Sequence, residues 1–287
     1  LFGTWNHGFF TAPGSWVDAA HKHGTDIFSG VKFFDTTGGR DGSSTEWEKF
    51  ILAKSNDGTF TYAEPLINVL MYFGSDGINY NWESAGYDRP EIVAFHQELW
   101  KIAEKKGFKN YHSGIYSFSS SLSDLNAEAL FGDKSKGGKT HDFMINYGGG
   151  GNFTTLSAMK RSIETAQKTM GTTEGLYSGV WIVSMDRSWS NLAKAPEMNV
   201  CLWGEHGESR FMSYNKGKDG FDAQRNYQRL LERAFSGGNR NPLQRPAVSD
   251  NGNNWEQIDN KLPLQSFCGL AEFIPERSTI QGNLPFA

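Results

Sequence analysis

The segment from Asp76 to Glu83 has the clearest capacity for chemistry, because amides and an acid recur at every second position. Side chains alternate along a β-strand, so Asn79, Asn81 and Glu83 are predicted to point to one side. In an α/β barrel that side is the interior. Glu83 would then emerge at the carboxyl-terminal mouth, where such folds keep their active sites. Burying three polar residues is costly without a use. The alternative interpretation is a hydrogen-bonded polar layer below an exposed glutamate.

Other reaction types lack the residues that they need. His21 and His23 lie two positions apart on a predicted helix and diverge, and no His-Glu-x-x-His run occurs, so a metal site is not indicated. The absence of a Gly-x-Ser-x-Gly run argues against a serine hydrolase. The glycines at 148–151 follow a predicted strand but lack the spacing of a dinucleotide-binding loop. The sequence therefore predicts an activity without a metal or an organic cofactor.

Strand and helix patterns alternate over most of the chain, which favours parallel βαβ units. Predicted strands cover 1–10, 26–34, 77–82, 111–117, 143–146, 176–184 and 199–203, and 284–286 is a candidate start of an eighth. That number fits a (β/α)8 TIM barrel better than a doubly wound sheet. The sequence predicts one catalytic barrel domain over 1–287, with its last strand truncated and both ends cut from a longer protein.

Helix boundaries and buried faces are predicted from caps and periodicity. Ser15 is predicted to cap a helix over 15–23, and further helices are expected over 46–53, 62–73 and 221–235. Pro90 is predicted to open a helix that Gly107 ends. The apolar stripes are expected to contain Leu66, Val69, Leu70 and Phe73 in one helix, Ile92, Phe95, Leu99 and Ile102 in the next, and Leu156, Met159, Ile163 and Ala166 in a third.

Composition excludes several classes of function. The formal charge is −4, from 28 basic and 32 acidic residues, which gives no electrostatic footprint for nucleic acid. No window approaches the roughly 18 uninterrupted apolar residues that a membrane span needs. Aromatic residues make up 14% of the chain, which suits a large core or a wide apolar cleft. Cys201 and Cys268 could form one bridge or stay reduced, so the redox compartment stays open.

The spacing of 76–83 resembles the Asp-Gly-x-Asp-x-Asp-x-Glu signature of family 18 chitinases, with Asn79 and Asn81 in place of the inner acids. An asparagine two residues before the glutamate is instead the pattern of the related family 85 endo-β-N-acetylglucosaminidases. Five further segments are similar to that family and follow its order along the chain: 15–24 (SWVDAAHKHG), 115–117 (IYS), 142–147 (DFMINY), 176–180 (LYSGV) and 284–286 (LPF). Departures include the glycines at 148–151, where the family usually has an aromatic residue.

The resemblance implies hydrolysis of the β-1,4 GlcNAc–GlcNAc bond in the core of N-glycans by substrate-assisted, retaining catalysis, an exception to the two-carboxylate scheme. The 2-acetamido oxygen of the sugar would attack the anomeric carbon and form an oxazolinium intermediate. Glu83 would protonate the leaving oxygen and then activate water. Asn81 would hold the acetamide N–H, and Tyr116 would fix the acetamide from the opposite side. An amide cannot raise the pKa of Glu83, so desolvation by Trp82 or other aromatic residues would have to do so.

Several other residues are candidates for the sugar cleft. They are Asn79, Asn146, Tyr147, Trp181, Trp203, Glu205, Trp5 and His7. Aromatic faces stack on sugar rings, although each tryptophan is also a candidate for the core. Two alternatives stay open at this stage: a family 18-type chitinase-like hydrolase and a non-catalytic carbohydrate-binding barrel.

The resemblance also implies the surroundings of the domain. The partner would be an N-glycan or glycoprotein substrate, with no nucleic acid and no membrane span. Appended β-sandwich domains are expected in the full-length protein. Relatives of this kind are secreted by bacteria or occur in the eukaryotic cytosol. A secreted or cell-surface bacterial protein is favoured, and the compartment stays open.

Overall fold

The computed structural model describes residues 2–3, 12–34, 43–82, 85–117, 121–146, 155–181 and 194–203. The elements are β1 (Phe2–Gly3), α1 (Gly14–Lys22), β2 (Ile27–Phe34), α2 (Ser43–Leu52), α3 (Ala63–Phe73), β3 (Gly77–Trp82), α4 (Pro90–Lys106), β4 (His112–Ser117), α5 (Ala127–Leu130), β5 (Gly132–Asp133), β6 (Gly138–Lys139), β7 (Phe143–Asn146), α6 (Leu156–Met170), β8 (Leu176–Trp181) and β9 (Asn199–Trp203). The chain divides into two compact units. The first contains Leu1–Ser178 with Glu197–Asn199, and the second contains Gly179–Pro196 with Val200–Ala287.

The first unit is built on a parallel sheet in the order β1, β2, β3, β4, β7 and β8, in which every neighbouring pair runs parallel. Parallel neighbours need long crossover connections, and α-helices lie in those connections here. Strands β5 and β6 form a separate antiparallel pair. The fold class is therefore mixed α/β with a parallel sheet, as the alternation of patterns predicted. The single-domain organisation stays a prediction.

Helix α4 confirms its predicted ends. It begins at Pro90, whose missing N–H would have no partner inside the first turn, and Gly107 follows its last residue in a left-handed conformation with φ 71°. Its buried side includes Ile92, Phe95 and Leu99, all at most 1% exposed. Each such side chain stabilises the fold by roughly 1.5–3 kcal/mol relative to an exposed one.

Two details of the helix predictions are wrong. Ser15 lies inside α1; Pro13 occupies the cap position, and its side chain has no atom that could accept a hydrogen bond. In α3 the buried face contains Ile67, whereas Phe73, in the last turn, is 57% exposed. The stripe therefore ends earlier than periodicity indicated, because periodicity shows which side of a helix is apolar but not how far neighbouring elements cover it.

Asp76 and Gly77 hold β3 at the amino-terminal end of the sheet, opposite to the end at which Trp82 lies. One carboxylate oxygen of Asp76 accepts hydrogen bonds from the backbone N–H of Ile27 at 2.8 Å and from Nε2 of His21 at 2.7 Å. A Cβ atom on Gly77 would overlap the backbone carbonyl of His112. The acidic start of the motif is therefore structural, since it ties α1, β2 and β4 to β3.

His112 links three elements at the same end of the sheet. Its Nδ1 lies 2.7 Å from Oδ2 of Asp142, and its Nε2 lies 3.3 Å from Oδ2 of Asp26. A carboxylate only accepts hydrogen bonds, so the charged imidazolium satisfies both contacts at once. Burial lowers the pKa of His112, but the hydrogen bonds and charges of the two carboxylates outweigh it and raise the pKa above its usual value.

Replacing His112 is expected to destabilise the protein more at low pH than at high pH. The pKa is raised in the folded state, so its stabilisation is complete below the unfolded pKa of about 6.5 and is lost as pH rises through the folded pKa. His112→Asn should lower the free energy of unfolding by about 1.5–3 kcal/mol at pH 5.5 and by less at pH 8.5. Urea unfolding of both proteins at each pH measures this difference.

The control for this prediction is His23→Asn, at an exposed histidine that follows α1. That variant should show the same pH dependence as the original protein. An equal loss of stability at both pH values in His112→Asn would contradict the assigned charge of the imidazole.

Parts of the sequence predictions lie outside the described residues. They are the helix over 221–235, the strand start at 284–286, the glycines at 148–151 and Cys268. None of the described helices combines the length and apolar character that a membrane span requires.

Candidate active site

Strand β3 directs Asn79 and Asn81 to the side of the sheet that faces away from α2 and α4. The intervening Tyr80 contacts those helices, with its ring 5.3 Å from that of His96 in α4 and 6.1 Å from that of Trp47 in α2. Successive side chains point to opposite faces, so the two amides point to the other side. Both are buried, with 2% of Asn79 and 6% of Asn81 exposed. This arrangement agrees with the alternation predicted from the sequence.

Tyr116 of β4 lies directly beside Asn81. The two residues are register partners in the parallel pair of β3 and β4. Neighbouring strands lie about 4.8 Å apart and register partners point to the same face, so the phenol and the amide share one side of the sheet. Tyr116 is half-buried, which leaves part of it open to an incoming group. The structure therefore brings together two of the three predicted catalytic residues.

Aromatic rings cover part of the same face of the sheet. The rings of Phe28 and Phe143 meet edge to face at 5.2 Å, and Tyr177 of β8 lies 4.2 Å from Phe143. Phe28 and Phe143 both lie within 3.3 Å of where a Cβ atom on Gly114 would stand. They therefore form an apolar floor below Tyr116 and Asn81. Such a floor keeps water from reaching the amides from that side.

A buried hydrogen-bonded pair on the opposite face anchors β3 to α4. Nδ1 of His96 lies 2.7 Å from the carbonyl oxygen of Ile92, which can only accept, so Nδ1 carries the proton. Nε2 then accepts from the hydroxyl of Tyr80 at 2.9 Å. Burial lowers the pKa of His96 to about 4, against the opposing effect of the bond to Ile92, so the ring stays neutral at physiological pH. This pair fixes the strand from which Asn81 projects.

Tyr80→Phe is expected to lower the stability of the protein. The variant keeps the ring but removes the donor to His96, and a buried nitrogen without that partner costs about 1–3 kcal/mol. Thermal unfolding should report the loss. The comparison variant is Leu99→Ile, an exchange of apolar side chains in α4, the helix that contains His96. It should change the free energy of unfolding by less than about 1.5 kcal/mol. A Tyr80→Phe variant as stable as the original protein would show that the hydrogen bond contributes nothing.

A comparison with protein families gives a match that includes β3 and β4, the strands of Asn81 and Tyr116. The sequence model of glycosyl hydrolase family 85 matches residues 1–180 of the 287-residue chain, which includes β3 and β4. The chain belongs to glycosyl hydrolase family 85. The resemblance inferred from its motifs is thereby confirmed, and the protein is a glycoside hydrolase. A comparison with curated protein sequences gave no match.

The remaining residues predicted for the family 85 site are distributed as follows. Asn146 is the last residue of β7 and the register partner of Ser178, at the same end of the sheet as Asn81 and Tyr116. Trp181 and Trp203 end β8 and β9, and both fall in the second unit. Outside the described residues lie Glu83, Tyr147, Glu205, Trp5 and His7.

Trp82 is the aromatic residue that the sequence suggested for the desolvation of Glu83. Its ring is 5.5 Å from that of Tyr80, and only 1% of the residue is exposed. It therefore belongs to the helix-facing side of β3, opposite to Asn81. The suggestion that Trp82 raises the pKa of the acid stays a prediction, because Glu83 lies outside the described residues.

The residues that shape the space around the family 85 amides were not predicted from the sequence. Asn79 has a glycine as register partner on each side, Gly30 in β2 and Gly114 in β4. The aromatic floor was missed as well. A signal was present, since Gly114 precedes Tyr116 by two positions and Phe28 precedes Gly30 by two. Only the pairing of the strands shows that these positions meet.

The described residues contain no group of three or more His, Cys, Asp or Glu side chains placed to hold a metal ion. His112 and the two carboxylates that it contacts, Asp26 and Asp142, lie at the opposite end of the sheet from Tyr116.

Proposed function

We propose that this family 85 protein is an endo-β-N-acetylglucosaminidase that cleaves the β-1,4 bond between the two GlcNAc residues of the N-glycan core. The observation that carries the proposal is the register pairing of Asn81 with Tyr116 on one face of the sheet. A phenol and an amide side by side can hold the two ends of an acetamido group. Membership of family 85 supports the same activity.

The reaction would be substrate-assisted. The acetamido oxygen of the sugar attacks its own anomeric carbon, the bond to the leaving GlcNAc breaks, and the positive charge spreads over the oxazolinium ring. Asn81 accepts a hydrogen bond from the acetamido N–H and stabilises the positive charge that develops on that group. Tyr116 holds the acetamide from the neighbouring strand. Fixing this geometry turns the displacement into an oriented intramolecular attack.

Glu83 would act first as a general acid and then as a general base. It follows Trp82, the last residue of β3, in the sequence and would lie at the carboxyl-terminal mouth of the barrel. It first protonates the leaving oxygen and later removes a proton from the water that opens the oxazolinium ring, which returns the acid to its starting form. The product has the same anomeric configuration as the substrate because two displacements occur.

The surrounding architecture would be a (β/α)8 barrel. The parallel sheet with α2 and α4 on one face and a polar, aromatic-floored face on the other supports this closure. In such a barrel the amides face the interior and the carboxyl ends of the strands form the active-site mouth. The terminal 284–286 segment would supply the start of the last strand.

The experiment that tests the function is incubation of the protein with a high-mannose glycoprotein, followed by mass spectrometry of both products. We expect intact glycan to be released and one GlcNAc to remain on the protein, with no cleavage of chitin oligomers in a parallel reaction. Cleavage of chitin oligomers alone would assign a chitinase-like activity instead. Binding of the glycoprotein without any mass change would indicate a carbohydrate-binding barrel.

A further inference from the structure

A groove of about 470 Å³ lies between the carboxyl-terminal half of α4 and the hairpin of β5 and β6. Its volume falls within the range of about 300–1,000 Å³ that is usual for small-molecule sites. The aromatic residues that line it, Trp100 and Phe108, are half-buried. The charged residues that line it are exposed, and they are Lys101, Glu104, Lys109 and Lys139. The groove therefore has an aromatic floor and a charged rim.

Hydrogen bonds between α4 and the hairpin fix the two walls of the groove. Nε2 of Gln97 donates to the carbonyl oxygen of Lys136 at 3.1 Å, and Nε1 of Trp100 donates to the carbonyl oxygen of Thr140 at 3.0 Å. Gly137 has a φ of 108°, and a Cβ atom on it would overlap the side chain of Gln97. The indole of Trp100 is therefore held in one position in a preformed groove.

The indole ring of Trp100 is covered by a lysine. Nζ of Lys139 lies 4.5 Å from the ring centroid, and the ring of Tyr111 packs edge-on against the indole at 4.7 Å. A cation–π contact at an exposed site is weak, so the side chain of Lys139 can leave the ring at a low cost. A ligand with a carboxylate and a ring rich in C–H groups would give the ammonium an ion pair and cover the indole in its place.

The rim of the groove is positive, although the chain as a whole carries a formal charge of −4. Its only acidic residue among those described is Glu104. Lys101 already has an ion-pair partner, since its Nζ lies 3.4 Å from Oε2 of Glu98. None of the described carboxylates forms an ion pair with Lys109 or Lys139. Two ammonium groups of the rim are therefore available to an anion.

The carboxyl end of α4 limits the charge that a ligand can carry. Gly107, which lines the groove, follows the last residue of α4. The last carbonyl groups of a helix carry a partial negative charge and lack partners within the helix. Together with Glu104 they disfavour a phosphate or a run of acidic residues, and they can accept hydrogen bonds from hydroxyl groups. Strand β6 has two residues, too few to pair with the backbone of a bound peptide. A hydroxylated ligand with a single carboxylate fits these groups.

We infer that this groove binds a carboxylated sugar. The sugar ring would lie against Trp100, the carboxylate would pair with Lys139, and Lys109 would add to the attraction. The groove is bordered by α4, which covers the face of the sheet opposite to Asn81. The site is therefore separate from the candidate active site, and the inference does not rest on the proposed function.

The test follows the indole N–H signals of the isotope-labelled full chain by NMR during titration with sialyllactose, a carboxylated trisaccharide. The signal that is absent from Trp100→Phe belongs to Trp100. We expect this signal to shift with sialyllactose, and the affinity for lactose, which lacks the carboxylated unit, to be about 5-fold lower, as for one exposed ion pair. Added salt should reduce the difference between the two sugars, because it screens exposed charges.

Lys139→Gln should weaken the binding of sialyllactose by about 5-fold, because it removes the ion pair. The matched control is Lys54→Gln, since Nζ of Lys54 also lies over an aromatic ring, 4.8 Å from the centroid of Phe60, but outside the groove. That variant should bind sialyllactose as the original protein does.

Three results would overturn the inference: no shift of the Trp100 signal, equal affinity for the two sugars, or unchanged affinity in Lys139→Gln. Tighter binding of a tetraglutamate peptide than of sialyllactose would also overturn it, and would indicate an acidic protein partner instead. All of these measurements report binding without turnover, so a failure of the proposed function is a distinguishable result.

Discussion

Glu83→Gln is expected to abolish release of the N-glycan from a glycopeptide while leaving binding of the glycopeptide intact. Glutamine keeps the size and hydrogen-bonding capacity of the side chain but has no proton to transfer. The leaving oxygen would then depart as an unprotonated alkoxide, which is a poor leaving group. A general acid contributes about 10²-fold to 10⁴-fold, and the loss of kcat should fall in that range.

The measurement combines turnover of a labelled glycopeptide with its binding by calorimetry. The matched control is Glu104→Gln, at an exposed glutamate in α4, which should keep full turnover. Glycopeptide affinity within about 3-fold of the original, together with lost turnover, identifies a group that acts in the transition state and not in ground-state binding. Substantial residual turnover in Glu83→Gln would remove the residue from the acid role.

Substitution of Asn81 should separate the two halves of the reaction. Asn81→Gln moves the amide by one methylene, and loss of one preorganised group typically reduces kcat by about 10²-fold to 10³-fold. We expect this loss on the natural glycan, where the acetamide must be oriented for attack. On a preformed sugar oxazoline the attack has already taken place, so the loss should be no more than about 10-fold.

Asn81→Asp should carry an additional signature in the pH profile. A carboxylate beside Glu83 raises the pKa of that acid by like-charge repulsion, whereas the original amide does not. The basic limb of kcat/KM against pH should therefore move to higher pH in this variant. Asn68→Asp, at an exposed position of α3, is the matched control and should leave both donors and the pH profile unchanged. Equal losses on glycan and oxazoline would count against the role assigned to Asn81.

The predictions for Glu83 and Asn81 concern the same physical problem. In the proposed mechanism the Asn81 amide accepts a hydrogen bond from the acetamido N–H. A carboxylate could accept this hydrogen bond in either orientation. The amide does not raise the pKa of the neighbouring acid by charge repulsion. Its oxygen, and not its NH2 group, must face the acetamido N–H.

The sequence by itself was sufficient for properties that depend on neighbours along the chain. Alternation predicted that Asn79 and Asn81 share a side, and the structure agrees because a strand repeats every two residues. Pro90 and Gly107 predicted both ends of α4, since the constraints of proline and the left-handed preference of glycine act within one turn. The order of strand and helix patterns predicted an α/β fold with a parallel sheet, and the motif set predicted family 85.

The tertiary structure decided everything that depends on which strands pair and in what register. Tyr116 lies beside Asn81, and Gly114 beside Asn79, only because β4 pairs with β3 in that alignment. The same packing buries Trp82 against Tyr80 on the helix side and leaves Phe73 exposed at the end of α3. Local sequence patterns do not determine which strands pair or in what register. A shift of one residue between two strands would keep every local propensity and move each side chain to a new neighbour.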